Sequence, residues 1–166
     1  ILVIKKNTIF VIEASSYQIE YSKYFKTEFA AVLNLFPDHL ERHGTFRNYV
    51  NAKFKLITNQ NKNNLLFINK NNLKLLKGKK VKSKIIKVDK LPKKNTNIKN
   101  NFFKNLNNLN NLSFALSISK ELKLKKNKIE KAINSFSGLP YRQEIIFNKN
   151  NLNIINDSKS TSFSSA

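Results

Sequence analysis

Phe29-Ala30-Ala31-Val32-Leu33-Asn34-Leu35-Phe36-Pro37-Asp38-His39-Leu40-Glu41-Arg42-His43-Gly44 changes character in its middle. The first half is almost wholly apolar, the pattern of a strand buried on both faces. Pro37 stops it, and the polar pair Asp38-His39 follows at once. In an open parallel sheet, ligands bind just beyond the carboxyl ends of strands, so this is a candidate site. Thr45 then caps a helix running to about residue 58.

The same alternation extends in both directions. Residues 8–12 form a β-branched apolar run that reads as a buried strand ending at Glu13, and 17–26 reads as a helix. Downstream come a strand at 65–68, a short helix at 72–76 stopped by Gly78, and a strand at 84–88. Residues 89–105 read as a polar loop with short edge strands. Leu106, Leu109, Leu112 and Leu116 recur at helical spacing. Asn127 is expected to cap a further helix with Ile129, Ala132, Ile133 and Phe136 on one face, stopped by Gly138-Leu139-Pro140. Phe147 and residues 152–155 read as strands of a new unit. Strands alternating with helices predict an α/β fold with a mainly parallel sheet.

The chain has 166 residues, 31 Lys and Arg against 10 Asp and Glu, a net charge of +21, and no Cys, Met or Trp. Without Cys there is neither a disulfide framework nor a thiolate metal site. No apolar run reaches the roughly 18 residues of a membrane span. The charge suggests nucleic acid, but only Arg42, Arg47 and Arg142 are arginine, the residue suited to bidentate base and phosphate contacts. Abundant Lys, Asn, Ile and Phe match AT-rich codons instead, and residues 59–135 carry most of the excess. No nucleic-acid partner is therefore expected, and a basic nucleic-acid-binding protein remains the rival class. The lack of Met leads us to expect an internal piece of a longer protein.

Three features carry chemistry. Glu13 directly follows a strand, where a Walker-B-type carboxylate holds Mg²⁺. His39 follows the next strand. Phe46, Val50, Lys53 and Ile57 share one helix face, so Lys53 either snorkels to water or is buried with a lowered pKa. A neutral amine there is able to add CO₂ as a carbamate.

Five ordered segments resemble the Mur ligases. Glu13-Ala14-Ser15-Ser16-Tyr17-Gln18-Ile19-Glu20 is similar to E-L-S-S-F-Q-L-E, and 34–44 is similar to N-x-x-x-D-H-L-D-R-H-G. Tyr49-Val50-Asn51-Ala52-Lys53 resembles Y-x-x-A-K, which holds the modifiable lysine. Phe136-Ser137-Gly138-Leu139-Pro140-Tyr141-Arg142-Gln143-Glu144 resembles F-x-G-L-P-H-R-x-E, and Asn156-Asp157-Ser158-Lys159-Ser160-Thr161 resembles N-D-S-K-A-T. The first, fourth and fifth segments favour the members that join D-glutamate to UDP-N-acetylmuramoyl-L-alanine. The D-H pair and the lysine are shared with other Mur ligases and with folylpolyglutamate synthase.

The resemblance implies a cytoplasmic, monomeric, ATP-dependent ligase of peptidoglycan synthesis, working through an acyl phosphate. Residues 1–139 would be the latter part of its P-loop-NTPase-like central domain, and 140–166 the start of a Rossmann-like C-terminal domain. Glu13, His39 and a carbamylated Lys53 would hold Mg²⁺, as two ions, with Lys53 and His39 at the chemistry and His39 near the nucleotide-sugar. Asn108 and Asn111 fall on H-N-x-x-N and would contact the adenine nucleotide, although Asn107 stands where the family has His. Arg142 would reach ATP phosphates, Asp157 the ribose, and Lys159 would lie close to the nucleotide. Thr161 would lie near the D-glutamate carboxylate. Tyr141 replaces a family His, and Ser162 stands where Asn is usual. No G-x-x-x-x-G-K-[ST] occurs in these residues. The family carries that phosphate loop upstream, so the chain alone is expected not to turn over ATP.

Overall fold

The structure, a computed structural model, describes residues 5, 8–89, 98–150 and 152–160. Three strands, β1 (Phe29–Val32), β2 (Leu65–Asn69) and β3 (Lys84–Val88), form a parallel sheet in the order β1-β2-β3. The central strand is apolar throughout because both its faces are covered. On one face Ala30, Val32, Leu66 and Ile68 pack against Val50, Phe54 and Ile57. On the other, Phe67 and Val88 pack against Phe114, with Phe29, Ala31, Ile86 and Ile118 around them. Helix α3 (Phe46–Phe54) thus covers one side and α4 (Leu106–Glu121) the other, the layered α/β arrangement expected.

The strand expected at 8–12 is not one. The segment has no ladder partner among the described residues, and Ile9, Phe10, Val11 and Ile12 are all exposed, Val11 at 94%. An apolar β-branched run becomes a buried strand only when a neighbour takes its backbone groups. β1 is also shorter than 29–36, because the Leu33 carbonyl accepts from Asn72 Nδ2 at 3.1 Å rather than from a ladder.

Helix α1 (Ser16–Tyr21) starts on a capping box between Ser15 and Gln18 and stops well before residue 26. The Lys23 and Phe25 carbonyls accept instead from Asn59 Nδ2 at 3.0 and 3.1 Å. Helix α2 (Leu40–His43) is a single turn. Thr45 caps α3 as expected, accepting from the Asn48 N–H at 3.1 Å, and a 3₁₀ turn at Lys55–Ile57 continues it. The 72–76 helix is a 3₁₀ segment, Lys70–Leu76.

Asn105 caps α4, and its Leu112 is buried while Leu106 is 56% exposed. Helix α5 (Lys126–Ser135) is preceded by Lys125 as the cap residue, not Asn127, and Phe136 follows its end. The described part of 89–105 contains a 3₁₀ turn, Asn101–Lys104, rather than edge strands, with Phe103 buried against Leu112 and Ile133. Strands β4 (Glu144–Lys149) and β5 (Leu152–Asn156) form a separate antiparallel hairpin. Among the described residues no helix is long and apolar enough to cross a membrane.

Candidate functional site

A cavity of about 740 Å³ opens where Glu13, and Asn34 and Phe36 beyond the end of β1, face α4, α5 and the start of the hairpin. Its wall is apolar, with Phe102, Phe103 and Phe136 joined by Leu112 and Ile133. The three rings pack together, Phe102 meeting Phe103 and Phe136 edge-on at 5.2 and 5.1 Å. Gly138, at φ +85°, passes so close to this wall that a Cβ there would lie 2.9 Å from the Phe102 ring. Its rim is polar, and five of the residues singled out in the sequence lie on it: Glu13, Asn108, Asn111, Arg142 and Asp157.

Hydrogen bonds fix much of this rim. Asn108 Nδ2, on the first turn of α4, donates to the Phe102 carbonyl at 3.0 Å and to Gln143 Oε1 at 3.3 Å. The Gln143 N–H in turn donates to Asp157 Oδ1 at 3.2 Å. This relay ties α4 to the turns on both sides of the hairpin. Tyr141 and Gln143 both sit at positive φ, 63° and 47°, a conformation costly for non-glycine residues; the Gln143 N–H is held by Asp157, and the Tyr141 N–H donates to Glu144 Oε2 at 2.9 Å. Asn100 Nδ2 closes the end of α5 by donating to the Ile133 and Phe136 carbonyls at 2.8 and 2.6 Å.

His39 and Lys53 are not on the cavity wall. His39 takes the left-handed conformation at φ 53°, its N–H donating to Asp38 Oδ1 at 3.0 Å, with Asp38 and Glu41 carboxylates 3.5 and 3.6 Å from its ring nitrogens. Lys53 is half-buried on α3, its ammonium 5.8 Å from the centre of the Tyr49 ring. Burial holds its pKa below the usual lysine value of 10.5, and the charges of Asp38 and Glu13 pull it partly back. Burial, with the charge of Asp38 beside it, raises the Tyr49 pKa. Of the two readings open for Lys53, partial desolvation therefore describes it. Glu13, which lines the cavity, and Asp38, beside His39, thus both act on Lys53.

Lys159 is not on the cavity wall either; its N–H donates to the Tyr141 carbonyl at 3.2 Å and its ammonium lies 5.9 Å above the Tyr141 ring. Thr161 lies outside the described residues.

A cavity of this size, lined mainly by apolar side chains with a few polar groups among them, has the dimensions and lining of a small-ligand site. Mg²⁺ is a hard cation that takes oxygen ligands and keeps several from water and phosphate. Glu13 and Asp38 supply carboxylates of that kind, and the charges of both act on Lys53. Among the described residues no three His, Asp or Glu side chains form a ready metal cage. The donors therefore fit a cation shared with phosphate oxygens, not one held by protein alone.

The Mur ligase middle domain pattern matches residues 2–137. The chain belongs to the Mur ligase family. Among its relatives is the UDP-N-acetylmuramoylalanine–D-glutamate ligase of Petrotoga mobilis, 36% identical over 95% of this chain and 39% of that protein. The protein of the same name from Leptospira borgpetersenii is 34% identical over 93% of this chain and 37% of its own length. That from Elusimicrobium minutum is 30% identical over 98% of this chain and 40% of its own. This Mur ligase chain thus spans about 40% of the length of the curated relatives it matches.

Of the aromatic wall only Phe136 stood out in the sequence; Phe102, Phe103 and Gln143 did not. The Phe102-Phe103 pair stood inside a stretch dominated by Lys and Asn, and only its apolar bulk signalled a buried turn.

Proposed function

We propose that this chain forms the nucleotide-binding part of an ATP-dependent ligase that joins D-glutamate to UDP-N-acetylmuramoyl-L-alanine in cytoplasmic peptidoglycan synthesis. Residues 1–139 belong to its central domain, and 140–166 begin a Rossmann-like C-terminal domain. The observation that carries this reading is the convergence of Glu13, Asn108, Asn111, Arg142 and Asp157, drawn from separate motifs, on one cavity. The relatives' shared name supports the choice of substrates.

The adenine packs against the wall of Phe102, Phe103 and Phe136, with Asn108 and Asn111 contacting the nucleotide. Asp157 accepts from the ribose hydroxyls, Arg142 offers its fork to phosphate oxygens, and Lys159 adds charge nearby. Thr161 orients the D-glutamate carboxylate. Glu13 and His39 would hold one Mg²⁺ and Lys53, as a carbamate, would hold a second, with His39 also near the nucleotide-sugar. When bound, the ions neutralise charge on the phosphate oxygens as the substrate carboxylate is phosphorylated and the amine then displaces phosphate. Desolvation of Lys53 favours the neutral amine that reacts with CO₂.

The test uses the reading frame that encodes the chain, expressed to its natural ends and supplied with ATP, the nucleotide-sugar and one of D-glutamate, L-alanine or meso-diaminopimelate. Amide product with D-glutamate alone is the expected result. Product with another amino acid moves the chain to a sister Mur ligase, and no product with any of them ends the proposal.

A further inference from the structure

Beside Glu13 and His39 lies a buried polar pair with no part in the chemistry above. His43 is 6% exposed and Ser16 is 1% exposed, and His43 Nε2 is 3.0 Å from Ser16 Oγ. The His43 ring stacks on Tyr17 at 5.6 Å and meets Tyr49 edge-on at 5.6 Å. The other neighbour of the Tyr17 ring is His39, at 5.0 Å, and Tyr49 carries Lys53 above its own ring. The His43 carbonyl accepts from Asn48 Nδ2 at 3.0 Å. One imidazole thus touches α1 and α3 while ending α2. An apolar pair would fill this space without two polar groups that must be mutually satisfied.

The geometry points to His43 as a positioning residue: its bond to Ser16 locks the segment that carries Glu13 against the turn that carries His39. Ser16 lies three residues after Glu13, and the capping box of Ser15 and Gln18 stiffens that link. On the other side the His43 N–H donates to the His39 carbonyl at 3.0 Å, so one helical turn joins the anchor to His39. Outer partners of this kind set the orientation of metal-holding side chains, and their loss costs about 10–100-fold in metal affinity. The inference rests on the proposal that Glu13, His39 and Lys53 hold a divalent cation.

Mn²⁺ in bicarbonate buffer with saturating ADP, which supplies the phosphate oxygens, is the probe, read as paramagnetic broadening of the Glu13, His39 and Lys53 amide signals in the 166-residue chain. Thermal melts run in parallel. Ser16→Ala and His43→Phe remove the bond while keeping the space filled, and each is expected to raise the Mn²⁺ midpoint about tenfold. His43→Gln places an amide near the lost Nε2 and is expected to return the midpoint to within about twofold of the parent. Variants that melt earlier but bind Mn²⁺ like the parent would overturn the inference, since a packing role alone predicts that. If His43→Phe fails to fold, Ser16→Ala decides, because it leaves the rings in place. Absence of broadening at all three residues in the unmodified chain removes the cation site itself and the inference with it, a failure visible before any variant is made.

Discussion

Gly138→Ala probes the cavity wall directly. Two costs meet at this position. The residue sits at φ +85°, where a Cβ is strained, and a left-handed non-glycine residue costs about 1–2 kcal/mol. The added Cβ would also lie 2.9 Å from Phe102 Cε2 and 3.1 Å from Cδ2. Phe102 has little freedom to yield, since its ring is held by Phe103 and Phe136 at 5.2 and 5.1 Å. Overpacking of this kind costs about 1–3 kcal/mol, for a total of about 2–5 kcal/mol. Gly78 is an internal control: its φ is +76°, but nothing lies within 4 Å of a Cβ there. Gly78→Ala therefore carries only the backbone cost, about 1–2 kcal/mol. Urea unfolding of both variants, read by circular dichroism, measures the difference. Gly138→Ala should be the more destabilised and should lose nucleotide affinity, because Phe102 lines the cavity. Equal destabilisation of the two variants would refute the placement of Phe102 against Gly138.

Four other outcomes are expected. Asn108→Ala breaks the links to Phe102 and Gln143 and should weaken ADP binding about fivefold by calorimetry, near the worth of one hydrogen bond; unchanged affinity would contradict the relay. Phe67→Ala, at a fully buried position of the central strand, should cost about 3–5 kcal/mol in denaturant unfolding. Because Lys53 has its pKa lowered in the folded chain from 10.5, the folded state releases its proton first as pH rises. Relative to Lys53→Met, stability should therefore increase with pH through that window and level off above 10.5; a difference that falls with pH would reverse the assignment. The purified 166-residue chain, which holds no G-x-x-x-x-G-K-[ST], should release no phosphate from ATP in a coupled assay.

Much of the fold was legible because burial imposed a pattern. The run at 65–68 is apolar at every position since α3 and α4 cover both faces of β2. Lys53 was visible as a charged interruption of an apolar stripe, and the structure finds it half-buried. What was lost depended on partners distant in sequence. Residues 8–12 have strand chemistry but no ladder partner among the described residues, and helix 17–26 is cut short where Asn59, more than thirty residues away, takes the next carbonyls. The 89–105 stretch read as a polar loop with short edge strands, so Phe102 and Phe103 did not declare themselves as a buried turn on the cavity wall. Gln143 acts through its backbone N–H as much as its side chain, and a backbone donor leaves no mark in the sequence.

The central claim is that the cavity between the strand ends, α4 and the hairpin takes an adenine nucleotide. Titrating the ¹⁵N-labelled chain with ADP and Mg²⁺, with inorganic pyrophosphate as control, tests it most directly. Saturable shifts at Glu13, Phe102, Asn108, Asn111, Arg142 and Asp157, larger with ADP than with pyrophosphate, are the expected result. Shifts spread over the lysines of 70–87 and equal for the two anions would mean that the +21 charge, and not the cavity, does the binding, and would contradict the claim.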